Sequence, residues 1–163
     1  MSEKISIDPL SAVSIRDAIN ELHKYKQWIA EKEQELVARL ALKGATVASI
    51  QFTRAIYNGT NDITVRIDNT GTVAVIYAEG NAVAFIEFGS GAKYGYGHPE
   101  AAKFGAGPGT YPDGKGHWDD TKGWWYGHGQ HSYGNPPAMA MYQAREQIVE
   151  SITEIARQVF AKK

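Results

Sequence analysis

Sixteen residues, KGWWYGHGQHSYGNPP from Lys122 to Pro137, hold most of the chemistry this chain could offer. His128 and His131 stand three apart, with His98, His117 and the adjacent carboxylates Asp119 and Asp120 upstream. Two imidazoles at i and i+3 can share a metal ion where the backbone turns suitably, with a third ligand drawn from the other histidines or the aspartates. Such a set would define a metal-dependent hydrolase. The helical zinc motif, with Glu beside the first His, is absent, and loop histidines are far more often surface or interface polar groups. No metal or other cofactor is therefore assigned.

Other catalytic arrangements find less support. The 163 residues include no cysteine, so a thiol nucleophile, disulfides, thiolate zinc sites and iron–sulfur clusters are excluded. Ser90, in Gly89-Ser90-Gly91, is not framed as the serine of a nucleophile elbow and reads as a turn. Gly95-Tyr96-Gly97 and Gly105-Ala106-Gly107-Pro108-Gly109 lack the lysine and the strand–loop–helix setting of a phosphate loop. Asp119 and Asp120 are paired only by adjacency, whereas glycosidase carboxyls face each other across a substrate. The residues point away from an enzyme.

The aromatics are more telling. Tyr94, Tyr96, Tyr111, Trp118, Trp124, Trp125, Tyr126 and Tyr133 fall within forty residues. Such side chains anchor protein interfaces, stack on sugar rings in a carbohydrate-binding module, or fold back onto their own domain. Interface use and local packing are the two leading readings, and they can coexist.

The elements that must position these groups follow from patterning. The length suits a single domain spanning residues 1–163. A hydrophobic content of 43% with 21% charged residues is globular, and a formal net charge of −1 gives no overall reason to expect nucleic acid. The N-terminus lacks the apolar core of a signal peptide, and no apolar run reaches membrane-span length, so a soluble protein that does not engage a membrane is expected. Residues 1–13 form a lead-in. A helix is predicted over 14–43, from Ile15, Ile19, Leu22, Ile29, Leu36 and Leu40 at steps of three, four or seven, with Gly44 as its stop. Its length raises the prospect of packing on a second subunit. Four strands are expected within 47–89: Val47–Tyr57, Ile63–Ile67, Thr72–Ala78 and Val83–Phe88. Short Gly/Asn/Asp turns between them predict an antiparallel meander. Residues 90–136 hold 12 of the 17 glycines and three of the four tryptophans without any helical or alternating period. A segment that long without period is read as an interaction loop. Gly89 and Gly91 would let the chain leave the sheet, and Pro136 and Pro137 would fix its return. A helix over 137–160, with Tyr142, Ile152, Ile155 and Val159 in its stripe, would cover the sheet. The predicted class is α+β.

The order of these features resembles a known family. A long N-terminal helix precedes a small sheet whose last strand ends in Phe85-Ile86-Glu87-Phe88-Gly89-Ser90-Gly91. A Gly/Tyr/Trp-rich insertion follows, and Gly134-Asn135-Pro136-Pro137-Ala138-Met139 leads into a terminal helix. This is similar to the tail-component family of long-tailed bacteriophages, the neck or tail-completion proteins. Ser90 stands where Thr is usual there, and Asn-Pro-Pro-Ala replaces the commoner Pro-Ala core with its later Pro-Phe. The resemblance spans about residues 14 to 160. It implies a structural, non-enzymatic virion protein, assembled in the host cytoplasm into a homo-oligomeric ring of six or twelve copies. Its partners would be neighbouring neck and tail proteins, around a lumen through which DNA could pass. Arg54, Arg66, Lys93, Lys103, Lys115 and Lys122 could line such a channel, although scattered basic residues are usually solvated surface.

Overall fold

A computed structural model describes residues 5–91, 93–106, 121–126 and 129–161. Among the described residues, three α-helices and four short strands follow one another in an α+β arrangement.

The first helix, α1, runs Ala12–Arg54. The Ser11 hydroxyl caps it by accepting from the Ser14 N–H at 3.3 Å, and the Ser14 hydroxyl accepts in turn from the Asp8 N–H at 2.8 Å. The expected stop at Gly44 and strand from Val47 are thereby corrected, because the helix continues through both. Gly44 is buried where three elements meet. A Cβ there would be driven into the Ile148 side chain and would lie 2.7 Å from Cδ1 of Ile76. Ala41 and Ala48 are buried with it, so small residues let neighbours approach the α1 backbone. The β-branched residues that suggested a strand are accommodated in helical form. The hydroxyls of Thr46 and Thr53 donate to the carbonyls of Leu42 and Ser49, one turn back, at 2.7 and 2.8 Å.

Strands β1 (Thr64–Asn69) and β2 (Ala74–Glu79) form an antiparallel hairpin in the register Thr64↔Glu79 to Asn69↔Ala74. The middle two expected strands are thus found, with edges shifted by a few residues. Val83–Phe88, expected as the fourth, is instead a short helix, α2. Its start is held by Asp62. One carboxylate oxygen accepts from the Asn81 N–H at 3.0 Å and from its side-chain amide at 2.8 Å, and the other accepts from the Ala82 N–H at 3.4 Å. The four-stranded sheet is therefore replaced by two sheets of two strands each.

The second sheet lies inside the segment that carries no period in the sequence. Strands β3 (Trp124–Tyr126) and β4 (Gln130–Ser132) pair antiparallel, with Trp125 opposite His131. A single 3-10 turn, Ala101–Phe104, precedes them. The last helix, α3, covers Ala140–Phe160, starting three residues later than Pro137 suggested. Its principal partner is α1 rather than a sheet. The core where they meet comprises Ala48, Phe52, Ala82, Ile86, Ala140 and Ala144, ringed by Val47, Tyr57, Ile63, Val65, Val83 and Met141. Burying a side chain such as Phe52 or Ile86 contributes about 1.5–3 kcal/mol. At the far end of the pair, Trp28 stacks on Tyr25 with centroids 5.6 Å apart and meets Phe160 edge-on at 5.9 Å.

Candidate functional site

The two sequence signatures, some 45 residues apart, meet in space. Ser90 and Asn135 form an antiparallel bridge: the Ser90 N–H donates to the Asn135 carbonyl at 2.9 Å, and the Asn135 N–H donates to the Ser90 carbonyl at 3.0 Å. Their side chains bond as well, the Ser90 hydroxyl donating to Oδ1 of Asn135. The Asn135 amide donates to the Phe85 carbonyl at 2.8 Å. Farther along, the Ala138 N–H donates to the Ile86 carbonyl at 2.8 Å, and the Met139 N–H to the Glu87 carbonyl at 3.2 Å. The segment Asn135–Met139 is thus strapped along α2.

Glycine is needed where the strands of this clasp touch. Gly134 has φ +95°, and any Cβ there would run into the Ser90 carbonyl. Gly91 has φ +82° and faces the Tyr133 carbonyl; Gly89 has φ +78° and faces Pro137. The expected hinge residues Gly89, Gly91, Pro136 and Pro137 therefore gather at one place, at the end of a helix rather than of a strand.

Beneath the clasp sits a buried carboxylate. Glu87 accepts from the Met141 N–H at 2.9 Å and the Tyr142 N–H at 3.1 Å, satisfying free donors of the first turn of α3. Its Oε1 also lies 3.2 Å from Nε2 of His98. The Glu100 N–H donates to Nδ1 of His98 at 3.1 Å. Nδ1 is thus an acceptor and Nε2 carries the proton toward Glu87. The ring packs against Phe88 at 4.5 Å and Tyr142 at 5.7 Å. Both nitrogens of His98 serve the fold, which removes it from the metal-ligand set considered above. Glu87 and Asn135 do the most to fix the base of the segment. The sequence carried a signal for Glu87, a lone acid in an apolar run closed by glycine.

Above the clasp, the β3–β4 hairpin displays the aromatics. Trp125 is 71% exposed and its ring meets His131 edge-on at 4.7 Å; His131 meets Tyr133 at 4.6 Å. Lys93 Nζ sits 5.1 Å from the Tyr94 ring centre and 5.6 Å from that of Tyr133, within cation–π range. Trp125, His131, Tyr133, Lys93 and Tyr94 therefore form one open aromatic and cationic surface. Trp124 is on the other side of β3, half-buried, where it lines a recess with Tyr57, Phe85, Ser132 and Asn135. Tyr96 is exposed. Tyr126 belongs to β3 by its backbone, and its side chain is outside what is described. Tyr111, Trp118, His117, His128, Asp119, Asp120 and Lys115 lie outside the described residues. Among the described residues, no group of three His, Asp or Glu could hold a metal ion, and no helix is long and apolar enough to cross a membrane.

No protein-family model, curated protein or solved structure matches this chain.

Proposed function

We propose that this chain is a structural virion protein of the phage neck or tail top, assembling as a ring that links connector and tail through its long inserted segment. The observation that carries this reading is the aromatic surface of Trp125, His131, Tyr133 and Tyr94, held open above a segment pinned at its base by Ser90 and Asn135. Tyr and Trp offer large contact area with few rotatable bonds to freeze on binding. A closed base lowers the ordering cost of presenting them. The resemblance of Ile86–Gly91 and Gly134–Met139 to neck-protein signatures gains weight from their meeting in one clasp, since they then act as a single structural unit. A ring further requires two unlike faces on each subunit.

The test is the absolute mass of the purified protein by light scattering over a wide concentration range, with negative-stain imaging of the largest species. A closed multimer of six or twelve copies is expected, weakened in a Trp125→Ala/Tyr133→Ala variant. A strict monomer throughout, for both proteins, would sink the ring.

A further inference from the structure

The recess under the β3–β4 hairpin has a chemistry that the exposed aromatic face does not share. Trp124 and Ser132 are register partners across the two strands, so their side chains leave the hairpin on one face, opposite to Trp125 and His131. Both line a cavity of about 200 Å³, to which Tyr57, just after α1, and Phe85 of α2 add aromatic wall. Tyr57 folds back over Gly59, where a Cβ would lie 2.7 Å from its ring. Tyr57, Phe85 and Trp124 are half-buried, so part of each stays within reach of a partner.

The polar groups of the recess sort into those already used and those left over. The Ser90 hydroxyl donates to Oδ1 of Asn135, and the Asn135 amide donates to the carbonyls of Phe85 and Pro136 at 2.8 and 3.3 Å. Ser132 is 6% exposed, and its Oγ accepts from the Gly134 N–H at 3.0 Å. Its own proton meets no acceptor among the described residues. The indole N–H of Trp124 likewise has no acceptor among them. A buried donor without an acceptor costs free energy, so this pair calls for an acceptor from outside.

Three properties define what fits. Among the described residues no charged side chain lines the cavity, so a neutral occupant is favoured. The volume is below the roughly 300–1,000 Å³ of small-molecule pockets and suits one ring or side chain. The unused side-chain groups are donors, so the occupant should bring an acceptor without a donor of its own. A proline residue meets all three conditions. The amide that precedes it has a carbonyl and no N–H, and its ring fixes φ in advance, which lowers the ordering cost. Extended proline-rich segments dock on aromatic-lined grooves by the same means.

We propose that the recess is a docking site for an X–Pro step in an extended segment of a partner protein. The proline ring lies among Tyr57, Phe85 and Trp124, and the carbonyl before it accepts from Ser132 or Trp124. A sugar fits less well, because each hydroxyl brings a donor together with its acceptors. The site uses neither the exposed aromatic face nor the ring, and a monomer can carry it.

The test follows indole N–H signals by NMR in the isotope-labelled full chain, with Trp124 and Trp125 assigned by their loss in Trp124→Phe and Trp125→Phe. The acetylated, amidated peptide Ala-Ala-Pro-Pro-Ala is added up to about 10 mM, because one ring and one hydrogen bond support only about millimolar binding. The Trp124 signal should move and saturate while that of Trp125 stays. The all-alanine peptide should move neither. Trp124→Phe keeps a ring and removes the donor; it should bind roughly fivefold more weakly, read from the Ser132 backbone amide. An unmoved Trp124 signal, or an equal response to the all-alanine peptide, overturns the proposal. So does unchanged affinity in a Trp124→Phe protein whose circular dichroism matches the parent; if that variant does not fold, the two peptides on the parent decide. N-acetylpyrrolidine binding as tightly as the peptide would make the recess a small-molecule site and overturn the docking assignment.

Discussion

Glu87 caps a helix to which it does not belong: from the end of α2 its carboxylate accepts the N–H of Met141, at 2.9 Å, in the first turn of α3. One buried side chain thereby ties the Gly89–Gly91 signature to the helix that follows the Asn135–Pro137 signature.

Replacing Glu87 with Ala strips acceptors from Met141, Tyr142 and His98 together. Buried donors left without partners cost roughly 1–3 kcal/mol each, so a loss of about 3 kcal/mol or more is expected in urea unfolding. His98→Ala should cost less, since Glu87 then retains both backbone donors. Equal losses would mean that the carboxylate matters only through the histidine.

Two glycines of positive φ offer a matched pair. Gly105 has φ +66° with open space around its missing Cβ, whereas at Gly134 a Cβ meets the Ser90 carbonyl. Gly105→Ala should cost about 1–2 kcal/mol, the ordinary left-handed penalty. Gly134→Ala should cost clearly more, because the clasp must open as well. Comparable melting temperatures for the two variants would contradict the close approach of the segments around Ser90 and Gly134.

Adjacent tryptophans should separate stability from assembly. Trp125 is mostly exposed, so Trp125→Ala should leave unfolding within about 0.5 kcal/mol of the parent while weakening the proposed multimer. Trp124 lines the recess under the hairpin, and Trp124→Ala should lower stability by about 1–3 kcal/mol. Calorimetry read beside scattering checks both. A reversal of the two effects would assign the opposite faces of β3.

Acid should loosen the start of α2. The backbone N–H of Asn81 is the main influence holding the Asp62 carboxyl below its ordinary value, helped by the Asn81 side chain and the Ala82 N–H, against opposing desolvation. A carboxyl depressed in the folded state contributes stability above its unfolded pKa and loses it as pH falls through the folded one. Glu35 and Glu100 are lowered likewise, first by bonds from Lys32 and Lys103, so the chain should destabilise progressively below the ordinary carboxyl range. Asp62→Asn should be less stable at neutral pH and flatter toward acid. A parallel pH profile in both proteins would remove Asp62 from the account.

The features most legible in the sequence were those whose cause is local. The turn from Asn69 to Gly71 and the alternation on either side disclose β1 and β2, and the heptad steps from Ile15 disclose α1. Gly44 misleads because a glycine costs a helix about 1 kcal/mol in isolation, while here it makes room for Ile148 and Ile76, which lie far along the chain. Val83–Phe88 misleads because a six-residue run of five apolar residues and one acid fits a strand or a short helix equally, and Asp62, some twenty residues upstream, decides between them. At the candidate site, the aromatic types were evident from the residues alone. Their division into an exposed Trp125 and a half-buried Trp124 follows from the β3–β4 pairing, which no period announced.

The bridge between Ser90 and Asn135 also makes the intervening stretch a cassette. Chain leaves and rejoins the body at one point, so the entropy of closing it is settled there, and further lengthening adds only about 0.6 kcal/mol per doubling. Exposed positions of the stretch, such as Tyr94, Tyr96 and Trp125, can therefore be exchanged while α1, α3 and the first hairpin continue to fold, provided that His98 and Trp124, which pack into the body, are kept.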